Sequence, residues 1–402
     1  MALHGRDVVL VDAARSPFGR ARPEGIYAQT RADDLAVAVV RDLLRRNPGL
    51  PAQRLGEVAI AATTQSGDQG LTLGRTVGML AGLPTEIPGY AVDRMCAGAM
   101  TAVTQVAASI AVGAIDAALA GGVEHMGRHP LGADADPNPR FMTERLVDSD
   151  ALVMGATAEN LHDRYPELTK ERADAYGVAS QAKYAAALDA GHIGPELVPV
   201  GVPDSERGWG LATADEPPRP GTTLDGVADL PTPFRPGGRV TAATSSPLTD
   251  GATGAVLVAA DVAAELGLAP RMRLVSYAYA GVAPEVMGVG PVPATRRALE
   301  LAGLTMEDIG LIEINEAFAV QVLAFLDAFD IPDDDPRVNP YGGAIAVGHP
   351  LAASGVRLMA QLAHAFEHNP QVRYGITTMC VGLGQGGTVI WENPHHTEEQ
   401  SR

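Results

Sequence analysis

The strongest constraint on the fold of this chain is a pattern that occurs twice. In the first copy, AVDRMCAGAM opens a long apolar stretch that ends in AALAGGVEHM. In the second copy, RVNPYGGAIAVGHP opens another apolar stretch, which ends in YGITTMCVGLG. Both copies run strand, small-residue loop, buried helix, strand and glycine turn. This repetition predicts two related α/β units packed together, with their loops meeting at the carboxyl ends of strands.

The segments around the first copy alternate between strand-like and helix-like patterns. Strands are predicted at residues 7–13, 57–64, 89–92 and 116–120, and helices at residues 31–44, 73–80 and 96–112. The last of these helices is apolar on all sides, so it must be buried on all sides. The alternation predicts a right-handed, mostly parallel α/β sheet.

The middle of the chain differs in composition from both ends. Residues 124–240 are richer in Pro, Asp, Glu and Arg, with one clear helix at residues 170–189. We therefore predict an inserted loop domain over residues 124–240. The N-terminal α/β half then covers residues 1–123, completed by about 241–270, and the C-terminal half covers residues 271–402.

Composition limits the classes of function. The formal net charge of −18 argues against a nucleic-acid partner, because phosphate neutralisation requires clustered Lys and Arg. The two cysteines, Cys96 and Cys380, offer neither a disulfide framework nor a zinc-type spacing. No signal-peptide pattern and no apolar run of membrane-spanning length is visible. We therefore expect a cytoplasmic protein with no metal site and no membrane span.

Cys96 is the first candidate for chemistry. It follows a predicted strand and opens a buried helix, where backbone N–H groups and the helix dipole favour a thiolate. Its neighbours Ala97, Gly98 and Ala99 are small enough for a substrate to approach closely. The alternative is a small apolar cysteine of the core.

Further candidates lie in the second copy of the pattern and just before it. His349 precedes the second buried helix, and a neutral imidazole beside a thiol is a standard route to an activated sulfur nucleophile. Cys380 ends a strand before VGLGQGG, whose glycines can direct N–H groups onto an oxyanion. Asn315 and Glu316 follow another strand and either cap a helix or fix a water or an oxyanion. The alternative for His349 is a structural histidine.

The glycines at residues 382, 384 and 387 also satisfy the G-x-G-x-x-G pattern of dinucleotide-binding loops. Such a site requires a helix after the glycines and an acidic residue about 20 positions further on. Here the strand-like TVIWE follows instead, so the pattern does not predict a dinucleotide site.

Four blocks, VDRMCAG, NEAFA, GGAIAVGHP and CVGLG, occur in this order and together resemble the signature blocks of the thiolase family. Similar stretches include RSPFG, MGATAEN and TAATSSPLTDGA, so the resemblance extends from about residue 6 to residue 392. It implies an α/β fold with a duplicated, five-layered αβαβα core and an inserted loop domain for CoA binding. It also implies thiolytic cleavage of 3-ketoacyl-CoA and the reverse condensation, with coenzyme A as substrate and no cofactor. The degradative bacterial members are the most similar, which implies a place in β-oxidation, a homodimer or homotetramer, and a possible β-oxidation complex partner.

The resemblance implies a role for each candidate. Cys96 is the nucleophile that accepts the acyl group, His349 is its base, and Cys380 is the acid/base for acetyl-CoA or the CoA thiol. His349 and a water held by Asn315 form one oxyanion site, while the N–H groups of Cys96 and Gly382 form the second. The implied CoA contacts are Arg219 and Ser246, and the implied lining of the pantetheine channel is Met154, Phe234 and Phe318.

Two alternatives to an active thiolase are open. A ketoacyl synthase shares the implied fold but uses one cysteine with two histidines, which the Asn315 block and Cys380 argue against. A weakly active thiolase-like protein that binds acyl-CoA or joins a complex is the second, because the chain departs from the family pattern near the nucleophile. The departures are Gly98 for Ser, Ala99 for Gly, Asp93 for Asn, Leu383 for Gly and Tyr341 for a small polar residue.

Overall fold

The computed structural model describes residues 5–133, 135–204 and 208–397. The strands are β1 (Val8–Arg15), β2 (Gly19–Arg20), β3 (Leu55–Ala61), β4 (Gly89–Val92), β5 (Ala117–His125), β6 (Val200–Asp204), β7 (Gly208–Ala212), β8 (Thr249–Ala259), β9 (Met272–Gly281), β10 (Ile309–Ile314), β11 (Tyr374–Val381) and β12 (Gln385–Glu392). The helices are α1 (Ala32–Arg46), α2 (Leu73–Ala81), α3 (Gly98–Ala111), α4 (Arg140–Thr143), α5 (Met154–Arg164), α6 (Lys170–Asp189), α7 (Leu224–Val227), α8 (Ala260–Glu265), α9 (Pro291–Ala302), α10 (Ala319–Ala328), α11 (Ala344–Val347) and α12 (Ser354–His368).

Two half-sheets form the core. The first has the order β4-β3-β5-β8-β1, and the second has the order β9-β12-β11-β10. They join where β1 pairs with β9 over only two residue pairs, Val9 with Arg273 and Leu10 with Met272. Each half-sheet thus belongs to one copy of the repeated pattern. Strand β8, which follows the long central region along the chain, is part of the first half-sheet.

The prediction of a mostly parallel sheet is wrong. Only β3–β4, β3–β5 and β10–β11 pair in parallel, whereas β8, β9 and β12 pair antiparallel with all their long neighbours. Parallel pairing requires a crossover connection between neighbouring strands. β11 and β12 are instead joined by a short glycine turn, and β8 follows the central region rather than a helical crossover.

The helices complete a five-layered αβαβα arrangement, as the family resemblance implies. α3 and α12 pack against each other between the two half-sheets, α1 and α2 cover the outer face of the first, and α9 covers the outer face of the second. The surroundings of each helix follow from its sequence. α1 buries Leu35, Val39 and Leu43 along one stripe, whereas α12 is buried from Ser354 to Phe366.

The central region carries α4 to α7 and the two-stranded sheet of β6 and β7. Its longest helix, α6, has the bounds predicted from the sequence, and Thr169 caps it by accepting a hydrogen bond from the Arg172 N–H at 3.3 Å. No helix among the described residues is both long and apolar enough to cross a membrane.

Candidate active site

Cys96 lies in a tight turn, Met95–Ala97, between the end of β4 and the start of α3. Met95 adopts a left-handed backbone conformation with φ of 44°, which is unfavourable for a residue with a side chain. The exposed Asp93 supports this turn, because its Oδ1 accepts a hydrogen bond from the Met95 N–H at 2.7 Å. The acidic departure at residue 93 therefore holds the turn that carries the thiol.

The Cys96 turn packs directly against the second half of the molecule. It contacts the turn Leu351–Ala353, which follows His349, and it contacts strand β11, which carries Cys380. A Cβ atom added at Gly98 would lie 2.7 Å from the Ala61 Cβ and 3.0 Å from the Ala352 Cβ. The absence of a side chain at Gly98 thus lets the two halves approach.

Glu124, at the end of β5, bonds to loops of both halves. Its Oε2 accepts hydrogen bonds from the Thr63 N–H at 3.0 Å and from the Ala352 N–H at 3.2 Å. The carboxylate is buried, so these bonds offset its loss of hydration. It thereby fixes the loop of His349 relative to the first half-sheet.

Burial raises the pKa of the Cys96 thiol to about 12, despite hydrogen bonds from the Gly382 and Cys96 N–H groups that lower it. The charges of Glu124 and Asp93 raise the pKa of this thiol further, Glu124 more strongly. The pKa shift therefore runs opposite to the thiolate that the position before a helix favours, because burial disfavours the charged form. In this environment Cys96 is a neutral thiol.

His349 follows the short helix α11 and is buried. Burial, together with the nearby Arg357 charge, lowers the pKa of His349 to about 3, so the imidazole is neutral and can accept a proton. Its Nδ1 lies 2.6 Å from the Ser354 Oγ at the start of α12. Ser354 fixes the ring plane and leaves Nε2 for another partner.

Asn315 lies beside this imidazole. Its Nδ2 is 3.4 Å from the His349 Nε2 and 3.5 Å from the Nδ1. Its backbone N–H donates to the Thr378 carbonyl at 2.9 Å, which ties it to β11. Arg357 Nη2 lies 3.4 Å from the Asn315 Oδ1 and orients the amide, so that its NH2 group faces the histidine. Asn315 and His349 therefore form one polar cluster.

Glu316 anchors the loop of His349 through hydrogen bonds. Its carboxylate accepts hydrogen bonds from Tyr176, Ser180 and Asn339 and from the Ile345 N–H, at distances from 2.6 to 3.1 Å. The alternative of helix capping by Asn315 and Glu316 is wrong, since α10 begins at Ala319 without any side-chain cap.

Cys380 lies near the end of β11 and is fully buried. Burial, and then the neighbouring Cys96, raise the pKa of the Cys380 thiol above its usual range. The two thiols thus interact electrostatically, and both are protonated at rest. The Gly382 N–H bonds to Cys96, so the strand end that carries Cys380 also supplies a donor at the Cys96 thiol.

The predicted channel residues lie together on one wall. The Phe234 and Phe318 rings meet edge to face at 6.3 Å, and the Ser246 N–H donates to the Ala317 carbonyl at 3.0 Å. Met154, at the start of α5, lies beside Gly382, because a Cβ added at Gly382 would lie 3.5 Å from the Met154 sulfur, and the adjacent Gly155 packs against the Phe234 ring. Since the Gly382 N–H bonds to Cys96, this group of residues lies on the side of Gly382 and Cys96.

Arg219 is exposed on a loop of the central region. Its backbone N–H donates to the Gln181 Oε1 at 2.9 Å, and the Gln181 amide donates to the Ile345 carbonyl at 3.1 Å. This chain of bonds connects the Arg219 loop to the loop of His349.

Comparison with known proteins agrees with this architecture. Residues 8–261 match the model of the thiolase N-terminal domain, and residues 268–393 match the model of the thiolase C-terminal domain. The chain belongs to the thiolase family. The family resemblance of the sequence blocks is thereby confirmed, and the two matches cover most of both halves of this thiolase.

Named relatives extend over the full length of this thiolase. The 3-ketoacyl-CoA thiolase of Saccharophagus degradans is 42% identical over 394 residues, which is 98% of this chain and 100% of the relative. That of Escherichia coli is 41% identical over 387 residues, or 96% and 99% of the two chains. Human mitochondrial 3-ketoacyl-CoA thiolase superimposes with a TM-score of 0.87 at 33% identity, over 96% of this chain and 99% of the human one. The Bacillus anthracis acetyl-CoA acetyltransferase gives the same TM-score and identity, over 98% and 100%.

Several residues that organise the thiolase site were not singled out from the sequence. Ser354 and Glu124 are the clearest, since the first orients His349 and the second joins the two loops. A polar residue at the end of an apolar strand is the signal that indicates Glu124. Ser354 has the weaker signal of being the first polar residue after His349.

Proposed function

We propose that this thiolase cleaves 3-ketoacyl-CoA with coenzyme A to give acetyl-CoA and a shortened acyl-CoA, through an acyl group on Cys96. The observation that carries the proposal is the packing of the Cys96 turn against both the turn that follows His349 and the strand that carries Cys380, with all three side chains buried and neutral. The relatives named 3-ketoacyl-CoA thiolase support the same substrate class.

In the first step His349 takes the Cys96 proton, and the thiolate attacks the 3-keto carbon. The developing oxyanion accepts hydrogen bonds from the backbone N–H groups of Cys96 and Gly382, as oxyanions do in other acyl transfers. The bond between C2 and C3 then breaks, and the Cys380 thiol gives its proton to C2 of the departing acetyl-CoA. A thiol with a raised pKa remains protonated at neutral pH, as this role requires.

In the second step the Cys380 thiolate takes the proton of the incoming CoA thiol. The CoA thiolate attacks the acyl-enzyme and releases Cys96, which recovers its proton from His349. Protons and charges therefore balance over the cycle, with no cofactor in the scheme. The wall formed by Met154, Phe234 and Phe318 is the proposed path of the pantetheine arm, with Ser246 and Arg219 nearer its mouth.

The decisive experiment combines turnover with mass spectrometry. We expect the wild type to form acetyl-CoA from 3-ketoacyl-CoA and CoA, and to carry an acyl mass increment on the Cys96 peptide. Cys96→Ala should abolish both, and Cys380→Ala should lose turnover. Iodoacetamide should label Cys96, which is 7% exposed, rather than Cys380, which is 0% exposed, and acetyl-CoA should block the labelling. Labelling of Cys380 alone would contradict the assignment.

The second candidate, a weakly active acyl-CoA-binding or complex-partner protein, makes a different prediction. It would bind acyl-CoA without an acyl increment on Cys96 and without turnover at any chain length. A series of 3-ketoacyl-CoA lengths, run beside acetoacetyl-CoA condensation, separates the two functions. The same series measures chain-length preference and whether cleavage or condensation is faster.

We also propose that the protein is a cytoplasmic homodimer or homotetramer, with a possible partner in a β-oxidation complex. β4 lies at the edge of its half-sheet, and an uncovered edge strand favours pairing with another chain. Light scattering coupled to size-exclusion chromatography should give a mass of two or four chains. A monomer across the micromolar range would contradict this proposal.

A further inference from the structure

Three histidines from two distant parts of the chain meet at a site remote from Cys96. His364 and His368 lie four residues apart on α12, hence on one face of that helix, and His192 lies on the turn after α6. His364 is ten residues beyond Ser354 on the same helix, so the cluster is about 15 Å along α12 from the residue that orients His349. The proposed reaction does not use any of the three.

The spacing of the ring nitrogens suits a metal ion. The His192 Nδ1 lies 3.2 Å from the His364 Nε2, and one nitrogen from each of the three rings falls within 4.8 Å of the others. Two imidazole nitrogens bound to one tetrahedral zinc ion, each at about 2.05 Å, are separated by about 3.3 Å. The His192 and His364 nitrogens are thus already at coordination distance. The His368 ring needs only a small side-chain rotation to join them.

The ring orientations are fixed by contacts with neighbouring groups. The Nδ1 of His368 lies 3.0 Å from the His364 carbonyl, which leaves its Nε2 free for the cluster. The Tyr341 ring stacks on His192 with centroids 4.8 Å apart. The departure from the family pattern at residue 341 therefore forms one wall of the cluster.

A carboxylate stands behind one of the rings. The Nδ1 of His364 lies 3.5 Å from the Glu367 Oε2, and Glu367 is itself held by Arg271 at 2.8 Å. A carboxylate behind a ligating histidine is the usual outer partner in zinc sites, since it fixes the tautomer and increases ligand basicity.

We propose that His192, His364 and His368 bind one divalent transition-metal ion that prefers imidazole ligands, with water as the fourth ligand. Zinc is the test case, because neutral imidazole suits it and three histidines with water form a common zinc coordination set. The ion would connect the turn after α6, in the central region, to the end of α12, in the C-terminal half. Its role would be structural, because it contacts no residue of the thiol site. The sequence-based expectation of no metal site rests on spacing along the chain, which does not indicate ligands so far apart.

The test uses untagged protein freed of metal with a chelator and then titrated with Zn²⁺ by calorimetry and with Co²⁺ by visible absorption. We expect one equivalent to bind, with tetrahedral Co²⁺ bands and without the sulfur-to-cobalt charge-transfer band that Cys96 or Cys380 would give. His368→Ala should weaken binding at least about tenfold, and Glu367→Gln by about 10- to 100-fold. His395→Ala, at another exposed histidine, is the matched control and should bind as the wild type does.

Thermal unfolding provides a second measurement. Zn²⁺ should raise the midpoint of the wild type and of His395→Ala, whereas at the same zinc concentration the rise for His368→Ala should be smaller, because its affinity is weaker. Because His368 is exposed, its replacement should leave the metal-free midpoint and the thiolysis rate unchanged. Equal affinity in His368→Ala and wild type, no saturable binding, or a sulfur charge-transfer band would overturn the proposal.

Discussion

Gly98 is the position where this chain and its family differ most informatively, because the family usually has Ser there. Replacement of Gly98 by Ser places a Cβ 2.7 Å from the Ala61 Cβ on β3 and 3.0 Å from the Ala352 Cβ in the loop after His349. Favourable carbon contacts lie at about 3.5–4.0 Å, so the new atom overlaps both neighbours. The family residue should therefore be harmful in this chain.

Two opposing contributions set the expected change in the free energy of unfolding. Overpacking of this kind costs about 1–3 kcal/mol. Replacement of glycine at the start of α3 returns about 0.5 kcal/mol through helix propensity. We expect Gly98→Ser to lower the free energy of unfolding by about 0.5–2.5 kcal/mol. Since the overlap separates the Cys96 turn from the His349 loop, we expect kcat/KM for thiolysis to fall by about 10- to 100-fold.

The assay compares urea unfolding and thiolysis in four proteins. Gly201→Ser is the matched control, because a Cβ at Gly201 meets no atom within 4 Å. The double variant Gly98→Ser with Ala61→Gly removes the closest overlap and should recover part of both losses. If Gly98→Ser unfolds at the wild-type urea concentration with full activity, or if Ala61→Gly gives no recovery, the packing argument is refuted.

Three further predictions concern strain and ionisation. Leu383, in the turn between β11 and β12, has a φ of 60°, which is unfavourable for a residue with a side chain. Leu383→Gly should therefore raise the free energy of unfolding, measured in urea, by about 1 kcal/mol. An unchanged urea midpoint would show that this turn carries no strain. Burial raises the pKa of Glu313 to about 8, so the folded state holds a proton that the unfolded state loses above about pH 5. Wild-type stability should therefore fall by up to about 1.4 kcal/mol per pH unit from pH 5 to 8, and Glu313→Gln should remove that slope; parallel stability curves would contradict this. Because the pKa of His349 is about 3, kcat/KM should show no acidic limb with a midpoint near 6.5, and such a limb would contradict the neutral-base role.

Much of this site is predictable from local sequence. The uncharged stretch after Cys96 predicts a buried helix, and α3 is that helix. The bounds of α6 and of β4 follow from their patterns alone. The duplicated loops place Cys96 near the elements that carry His349 and Cys380, because repeated units bring equivalent loops together.

Other properties depend on contacts that local patterns do not encode. Strand direction is one, since β8 and β12 follow a long central region and a tight turn rather than helical crossovers. The protonation state of Cys96 is another, because the local helix dipole favours a thiolate while burial between two halves opposes it more strongly. The anchoring of the His349 loop by Glu316 requires partners from α6 and from residue 339, far apart along the chain.

The division of the site between the halves also has a consequence during synthesis. The ribosome makes Cys96 and its turn early, whereas His349, between α11 and α12, and Cys380, on β11, are made much later. A nascent chain that ends before residue 349 therefore carries Cys96 without its proposed base and without the backbone donor at Gly382. Such a chain lacks the groups that the proposed reaction uses, so chemical competence and complete folding should arrive together.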